Sequence, residues 1–236
     1  MQLKVKHLVK SYRDKQVLRG ADYIFEEGRL YGILGRNGAG NTTLFQCMTK
    51  DVPYEDGEFW MIEDGKERKV EFEDIGLVSA SPVLPDFLTG YEFIHFFQKL
   101  NAGKMQTEEQ KIDDYFDLVR LEESDRHRLI KTYSYGMKNK LQLLCCFLKN
   151  PKIILLDEPL SSFDIIVSHD IKELLLSMKQ DHIILMSTHI MQLARDVSDE
   201  IVILKDGLLS KAEMAKAGEE EFEQRVLKLL ESEETE

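Results

Sequence analysis

The sequence predicts an α/β fold in which a parallel sheet is accompanied by an amino-terminal antiparallel β portion and carries a helical insertion. Three observations predict it. The first third contains strands separated by turn signals, the stretch 89–150 has helical periodicity, and apolar strands alternate with helices after Pro151. Unbroken apolar strands that alternate with helices imply a parallel sheet covered on both faces.

We therefore expect one domain over residues 1–236, made of several parts along the chain. These are an α/β core with its β portion at 1–88 and 151–210, a helical part at 89–150, and an acidic helix or tail at 211–236.

Strands of the amino-terminal part are indicated by apolar runs between turn residues. The expected strands are Leu3–Val9, Ala21–Phe25, Leu30–Leu34, Glu58–Ile62 and Asp74–Val78. The pair Asp64-Gly65 predicts a hairpin turn, because both residues tolerate the positive φ of tight hairpins.

The helical part is indicated by apolar residues that recur at helical spacing. Each of three sets shares one helix face: Phe93, Phe96, Phe97 and Leu100; Ile112, Tyr115, Phe116 and Val119; and Leu141, Leu144, Cys145 and Leu148. After Pro151 we expect strands at 153–157, 182–187 and 201–204, with helices at 165–178 and 191–197.

Composition excludes several classes of protein. Hydrophobic residues make up 43% of the chain and charged residues 31%, an ordinary globular balance. A formal net charge of −12 argues against a protein that works by neutralising nucleic-acid phosphates. With no apolar run near the roughly 18 residues that span a bilayer, we expect an intracellular protein whose membrane role requires a partner. The three cysteines are expected to be reduced core thiols.

A glycine-rich loop follows the third expected strand. Residues 30–43 read LYGILGRNGAGNTT, so an apolar strand runs into Gly35-Arg36-Asn37-Gly38-Ala39-Gly40 and then into a helix near Asn41. Glycines let successive backbone N–H groups turn inward, and the helix N-terminus favours negative charge. The loop therefore predicts an anion cradle, although Asn41 stands where the phosphate-loop pattern has lysine.

Polar residues follow the later strands at the same expected sheet edge. Asp157 and Glu158 end the strand IILLDEP, and His189 follows the next strand in Ser187-Thr188-His189. One carboxylate suits Mg²⁺ and the next suits activation of a water molecule. Ser134 and Gly136 begin the longest apolar helix, where they predict a helix cap or a second anion site.

These motifs resemble the nucleotide-binding ATPase subunit of an ATP-binding cassette (ABC) transporter, over about residues 3–209. They follow the family's order: the phosphate loop at 35–43, YSYGMKNKL at 133–141, IILLDEP at 153–159, LSSFD at 160–164 and STH at 187–189. The resemblance implies a P-loop NTPase-type core, ATP and Mg²⁺ as ligands, a second nucleotide-binding subunit, and membrane subunits docked on the helical part. It further implies a location at the cytoplasmic side of the cell membrane and no nucleic-acid partner.

The resemblance also implies individual roles. Tyr12 would stack on adenine, and the phosphates would be wrapped by Gly35, Arg36, Asn37, Gly38, Ala39, Gly40, Asn41, Thr42 and Thr43. Thr42 and Asp157 would hold the metal, Glu158 would activate water and His189 would contact the γ-phosphate. Ser134, Gly136 and Asp164 would serve the nucleotide held by the opposite subunit.

Two positions depart from the family pattern. Asn41 replaces the phosphate-loop lysine, so we expect weaker ATP binding and hydrolysis reduced at least ~100-fold. The family places Gln or Glu where Ala80 or Ser81 stands, so coupling to the helical part must rely on another residue, with Ser79 and Ser81 as candidates.

Three functions stay open at this stage. The first is a transporter ATPase, most similar to exporters of drugs or antimicrobial peptides. The second is a nucleotide-binding subunit that does not hydrolyse ATP in an asymmetric complex. The third is an ABC protein that acts on DNA or ribosomes, which the single cassette and the net charge of −12 disfavour.

Overall fold

The chain forms two β-sheets flanked by helices, in a computed structural model that describes residues 1–101, 112–159 and 172–212 except 174 and 177. In these ranges the strands are β1 Gln2–Tyr12, β2 Lys15–Glu26, β3 Arg29–Leu34, β4 Asp56–Glu63, β5 Lys66–Lys69, β6 Ile75–Val78, β7 Ile153–Asp157, β8 Ile183–Thr188, β9 Glu200–Lys205 and β10 Leu208–Lys211. The α-helices are α1 Asn41–Met48, α2 Gly90–Leu100, α3 Ile112–Leu118, α4 Glu123–Arg126, α5 Tyr135–Lys149 and α6 Met191–Val197.

The smaller sheet is the expected antiparallel β portion. Its strand order is β2-β1-β4-β5, and β1 pairs antiparallel with both β2 and β4. The turn between β4 and β5 has Asp64 at φ 50° and Gly65 at φ 75°, which confirms the predicted Asp-Gly hairpin. β1 and β2 run further than predicted, because a second hairpin joins them between Tyr12 and Lys15.

The larger sheet confirms the predicted parallel core. Its order is β10-β9-β3-β8-β7-β6, with β3, β6, β7, β8 and β9 parallel and β10 antiparallel to β9. All five residues of β7 are buried, as expected for a strand covered on both faces. Because β8 lies between β3 and β7, the segments that follow these three strands meet at one edge of the sheet.

The helical part packs on one face of the larger sheet, in an apolar cluster that joins Ile94, Phe116 and Leu144 to Ile154 of β7 and Ile184 of β8. Thr89 and Glu92 form a capping box that begins α2, and the hydroxyl of Ser134 caps α5 by accepting the N–H of Met137 at 3.2 Å. The predicted apolar faces of α3 and α5 are confirmed, since their members are buried except for Ile112 and Cys145, which are half-buried.

The predicted face of α2 is partly wrong. Phe96 and Leu100 are 54% and 66% exposed, whereas Ile94 is fully buried. The reason lies at Gly90, where an added Cβ would stand 2.1 Å from the Tyr133 hydroxyl oxygen. This close approach, together with Ile94 one turn later, sets the inward direction of the helix and turns Phe96 outward.

Several expectations concern residues outside the described ranges. The segment 160–164, part of the helix expected at 165–178, and almost all of the acidic tail at 211–236 lie outside them, while the described residues between 172 and 178 are helical. Within the described ranges, every helix is too short or too polar to cross a bilayer.

The three cysteines are free thiols, and Cys47 and Cys146 are buried. Burial raises the pKa of the Cys47 thiol to about 11 and that of Cys146 to about 12. Both thiols are therefore protonated at neutral pH, in agreement with the expected core role.

Candidate functional site

The loop between β3 and α1 is shaped by glycines. Gly38 has φ 80° and Gly40 has φ 115°, conformations that residues with a Cβ rarely adopt. A Cβ on Gly40 would also lie 2.7 Å from Cγ1 of Val17. Gly40 precedes α1 and has no side chain to cap it, so the first-turn N–H groups of the helix remain available to an anion.

Asn41 opens α1 at the position where the family has lysine. Its Oδ1 atom is buried and finds no hydrogen-bond partner among the described residues. The oxygen lies against the start of the loop, because a Cβ on Gly35 would come within 3.0 Å of it. Asn41 therefore brings no positive charge to the loop, and one of its own polar atoms is left unsatisfied there.

Asp157 is held in place by two hydroxyl groups. The hydroxyl of Thr42 donates to Oδ2 at 2.9 Å, and that of Ser187 donates to Oδ1 at 2.6 Å. Asp157 is only 4% exposed, so these bonds satisfy a carboxylate that burial would otherwise destabilise. They also tie α1, β7 and β8 together at one point.

Thr42 and Asp157 fit a magnesium ion carried by a phosphate ligand. Hydroxyl and carboxylate oxygens are the donors that Mg²⁺ prefers, and the ion usually binds through one or two carboxylates together with phosphates and water. In the part of the chain that the structure describes, no group of three or more His, Cys, Asp or Glu could hold a metal ion. A magnesium ion here would therefore depend on the oxygens of its phosphate ligand.

Glu158 and His189 form a pair beside Asp157. Nδ1 of His189 lies 2.8 Å from Oε1 of Glu158. The N–H of Glu158 donates to the Ser187 hydroxyl at 3.1 Å, which fixes its backbone to β8. Glu158 has φ 51°, a conformation that costs a residue with a Cβ about 1 kcal/mol or more. Backbone strain of this kind clusters at functional sites.

These groups line one pocket of about 240 Å³. Its walls contain Tyr12, Val17, Gly35, Arg36, Asn37, Gly38, Ala39, Gly40, Asn41, Thr42, Thr43, Asp157, Glu158, Ser187 and His189. The structure therefore brings together the loop, both acids, the histidine and the aromatic residue that the sequence singled out. The ring of Tyr12 is 43% exposed, and Nζ of Lys10 lies 4.7 Å from its centre.

Three other candidates lie away from this pocket or outside the described ranges. Ser134 and Gly136 stand at the start of α5, where Ser134 is exposed, and neither lines the pocket. Asp164 lies outside the described residues. Ala80 and Ser81 follow β6, and the Ser79 hydroxyl donates to the Ser81 carbonyl oxygen at 2.7 Å, which folds this loop back on itself.

Two residues of the pocket were not assigned roles from the sequence. The Ser187 hydroxyl bonds both the Asp157 carboxylate and the Glu158 backbone N–H. The sequence feature that could have identified it is a hydroxyl residue near the end of a buried strand. Val17 packs against the loop from β2. The position of Val17 depends on the β1–β2 hairpin, and no local sequence pattern predicts its contact with the loop.

Comparisons with known proteins agree with this geometry. A family model described as ABC transporter matches residues 18–161. An uncharacterized ABC transporter ATP-binding protein of Bacillus subtilis, YxlF, is 30% identical over 208 residues, which cover 88% of this chain and 69% of that protein. The bacitracin transport ATP-binding protein BcrA of Enterococcus faecalis is 27% identical over 88% of this chain and 67% of its own length.

A solved structure shares the fold. The ATP-binding cassette MJ0796, in a dimeric post-hydrolysis state bound to ADP and Pi, superposes with a TM-score of 0.74 at 22% identity. The alignment covers 89% of this chain and 98% of that one.

Proposed function

The chain belongs to the ATP-binding proteins of the ABC transporter family, and on that premise we propose that it binds MgATP, pairs with a second nucleotide-binding subunit and hydrolyses ATP to power a membrane transporter. The observation that carries the proposal is the convergence of the phosphate loop, Asp157, Glu158 and His189 on one pocket. The fold shared with a dimeric cassette that holds ADP and Pi supports it.

The glycine loop binds the triphosphate in this proposal. Backbone N–H groups of residues 35–43 donate to phosphate oxygens, and the start of α1 adds its positive dipole end. Tyr12 on the pocket wall stacks against the adenine ring. Thr42 and Asp157 hold the magnesium ion, which when bound neutralises charge that develops on the phosphates.

Glu158 and His189 act on the reacting end of the nucleotide. The carboxylate of Glu158 orients and deprotonates the attacking water, and the imidazole of His189 donates to the γ-phosphate. Their 2.8 Å contact holds the two side chains in one orientation. Ser187 bonds both Asp157 and the Glu158 backbone, so it fixes the position of the metal ligand relative to the general base.

A second subunit completes each site. Ser134 is exposed at the start of α5 and outside the pocket of its own chain. A head-to-tail dimer would place Ser134 and Gly136, at the N-terminus of a 15-residue helix, against the nucleotide of the partner. We propose the same placement for Asp164. A dimer of two copies and a dimer of this chain with a related one would supply the same groups.

The membrane subunits dock on the helical part in this proposal, and the structure offers a groove for them. An apolar groove of about 340 Å³ lies between β6, α2 and α5 and includes Phe72, Leu77, Phe93, Phe97 and Cys145 in its walls. Phe72 is 65% exposed there. A short helix of a membrane subunit would bury these rings and hold the chain at the cytoplasmic face of the membrane. The similarity to BcrA, a bacitracin transport ATP-binding protein, supports an exporter of antimicrobial peptides as the transporter type.

Asn41 favours a second candidate function. A chain that keeps its acids and histidine but lacks the loop cation could hold nucleotide while its dimer mate hydrolyses ATP. We prefer an ATPase whose turnover is reduced, because Glu158 and His189 are paired as for catalysis. The net charge of −12 disfavours a role that depends on neutralising nucleic-acid phosphates.

The experiment compares Glu158→Gln with the unaltered chain. The variant should bind MgATP with unchanged affinity, measured with a fluorescent ATP analogue, and should release no phosphate above background. Glu67→Gln, on the exposed side of β5, is the matched control and should behave like the unaltered chain. Equal phosphate release by Glu158→Gln and the unaltered chain would contradict the proposal.

A further inference from the structure

Gln142 of α5 makes a side-chain contact with the loop that follows β6. Its Oε1 accepts the N–H of Ser79 at 3.1 Å, and its Nε2 lies 3.5 Å from the Ser79 carbonyl oxygen. Ser79 is the first residue after β6 and Gln142 lies in the eighth position of α5. Both residues are half-buried, so water competes only weakly for these bonds.

α5 contacts β6 along its whole length through one helix face. Nζ of Lys149 donates to the Ile75 carbonyl oxygen at 2.5 Å, at the start of the strand. Cys146 packs so closely on Gly76 that a Cβ there would lie 2.6 Å from Sγ. Gln142 reaches the end of the strand. Residues 142, 146 and 149 are spaced by four and three, so they share one face of the helix.

The end of β6 is adjacent to the catalytic edge. β6 pairs in parallel with β7, and Val78 is in register with Leu156. Ser79 follows Val78, and Asp157 follows Leu156. Asp157 accepts hydrogen bonds from the hydroxyl groups of Thr42 and Ser187. The Gln142 bond therefore joins α5 to the sheet beside the metal ligand.

Gln142 also belongs to the apolar groove proposed for the membrane subunit. It lines that groove together with Leu77, Phe93 and Phe97. Gln142 lies in the middle of α5, and Ser134 at the amino-terminal end of the helix is about 12 Å away, the rise of eight helical residues. Gln142 therefore belongs to the helix that Ser134 begins, lines the docking groove and bonds the loop after β6.

From this arrangement we propose that Gln142 is the positioning residue that couples nucleotide binding at the sheet edge to α5 and the docking groove. Gln142 provides this coupling through its hydrogen bonds to the Ser79 backbone. Ala80 has no polar side chain that could form such a bond. The inference rests on the proposed function. It assigns to a helix residue the connection that the family resemblance placed at Ala80 or Ser81.

Hydrogen–deuterium exchange of the full chain, with and without saturating MgATP, tests this role. In the unaltered chain MgATP should slow exchange in residues 79–89 and in the first turns of α5. Gln142→Met keeps the length of the side chain and removes both bonds, so it should bind a fluorescent ATP analogue within twofold of the unaltered affinity and lose the change in both segments. Gln142→Glu retains the oxygen that accepts the Ser79 N–H and should restore the change.

The matched control is Gln192→Met, which removes an exposed amide bonded only to Asp196 in the contacts described for α6; it should respond like the unaltered chain. If Gln142→Met fails to fold, Gln142→Ala makes the same test. A Met or Ala variant that binds MgATP and shows the full exchange change would overturn the inference. A wild-type chain that binds no MgATP would instead refute the proposed function on which it rests.

Discussion

Replacement of Asn41 by lysine should turn this chain into a faster ATPase. The Asn41 amide is uncharged and lies beside the phosphate loop, whereas the longer lysine side chain would bring an ammonium group to the phosphates. A hydrogen bond to a charged group contributes about 1.5–3 kcal/mol, and both the β- and γ-phosphates would accept from the ammonium group. At 1.36 kcal/mol for each factor of ten, Asn41→Lys should raise kcat about 100-fold.

The assay measures phosphate release by the purified chain at saturating MgATP, together with the affinity for a fluorescent ATP analogue. Affinity should rise less than kcat, because the ammonium contact strengthens as charge develops in the transition state. Asn41→Met supplies the length of lysine without its charge and is the control. The reasoning is refuted if Asn41→Lys is no faster than Asn41→Met. Tight binding with no turnover in both variants would favour the non-hydrolysing subunit.

Three further predictions concern the dimer, the adenine contact and the fold. Ser134→Arg in a Glu158→Gln background should abolish the MgATP-dependent increase in mass seen by light scattering; a dimer that persists would contradict the head-to-tail arrangement. Tyr12→Ala should weaken ATP binding by roughly 5- to 100-fold, since stacking on a base contributes about 1–3 kcal/mol, whereas Tyr12→Phe should bind normally; equal titration curves for both would remove the stacking role. Burial alone would raise the pKa of Asp74, but the two Arg68 bonds lower it below 3.8. Its stabilising effect is therefore complete above pH 3.8 and disappears as the pH falls through the lowered pKa. In urea unfolding, Arg68→Met should cost about 1–3 kcal/mol at pH 7 and less in strong acid, where of the Arg68 bonds only the one to the Lys69 carbonyl oxygen remains; a difference independent of pH would be inconsistent with this pair.

The parallel sheet, and the meeting of the glycine loop and the two acids at one of its edges, were predictable because local patterns determine them. β7 is apolar throughout and ends in two acids, and the glycine loop leads directly from β3 into α1. Since parallel strands present their carboxyl ends at one edge, adjacency in the sheet brings these residues together. The strand order, with β8 between β3 and β7, and the antiparallel edge strand β10 had to come from the structure.

Long-range contacts were not predictable from the same patterns. The outward turn of Phe96 follows from the contact of Gly90 with Tyr133, two residues far apart in the chain. Apolar spacing identifies a helix face, but it does not say which neighbour approaches most closely. The bond between Gln142 and Ser79 joins residues separated by 63 positions, and glutamine on a helix is ordinarily a solvent-facing residue.

At Asn41 the sequence identified the departure from the family pattern, and the structure describes the surroundings of the asparagine side chain. The missing lysine was evident from the loop pattern alone. The structure adds that the amide oxygen is buried without a partner, so asparagine is not rescued by a local hydrogen bond among the described residues. Asparagine at this position therefore brings neither a positive charge nor a fully satisfied side chain to the loop.

The central claim is that this chain binds a nucleoside triphosphate in its glycine loop and shares it with a second subunit. A crystal structure of the Glu158→Gln variant grown with MgATP tests it most directly. The account predicts the phosphates against the backbone of residues 35–43, with Ser134 of a second copy at the γ-phosphate. Nucleotide bound elsewhere on the chain, or bound in this loop with Ser134 of every copy facing solvent, would contradict it.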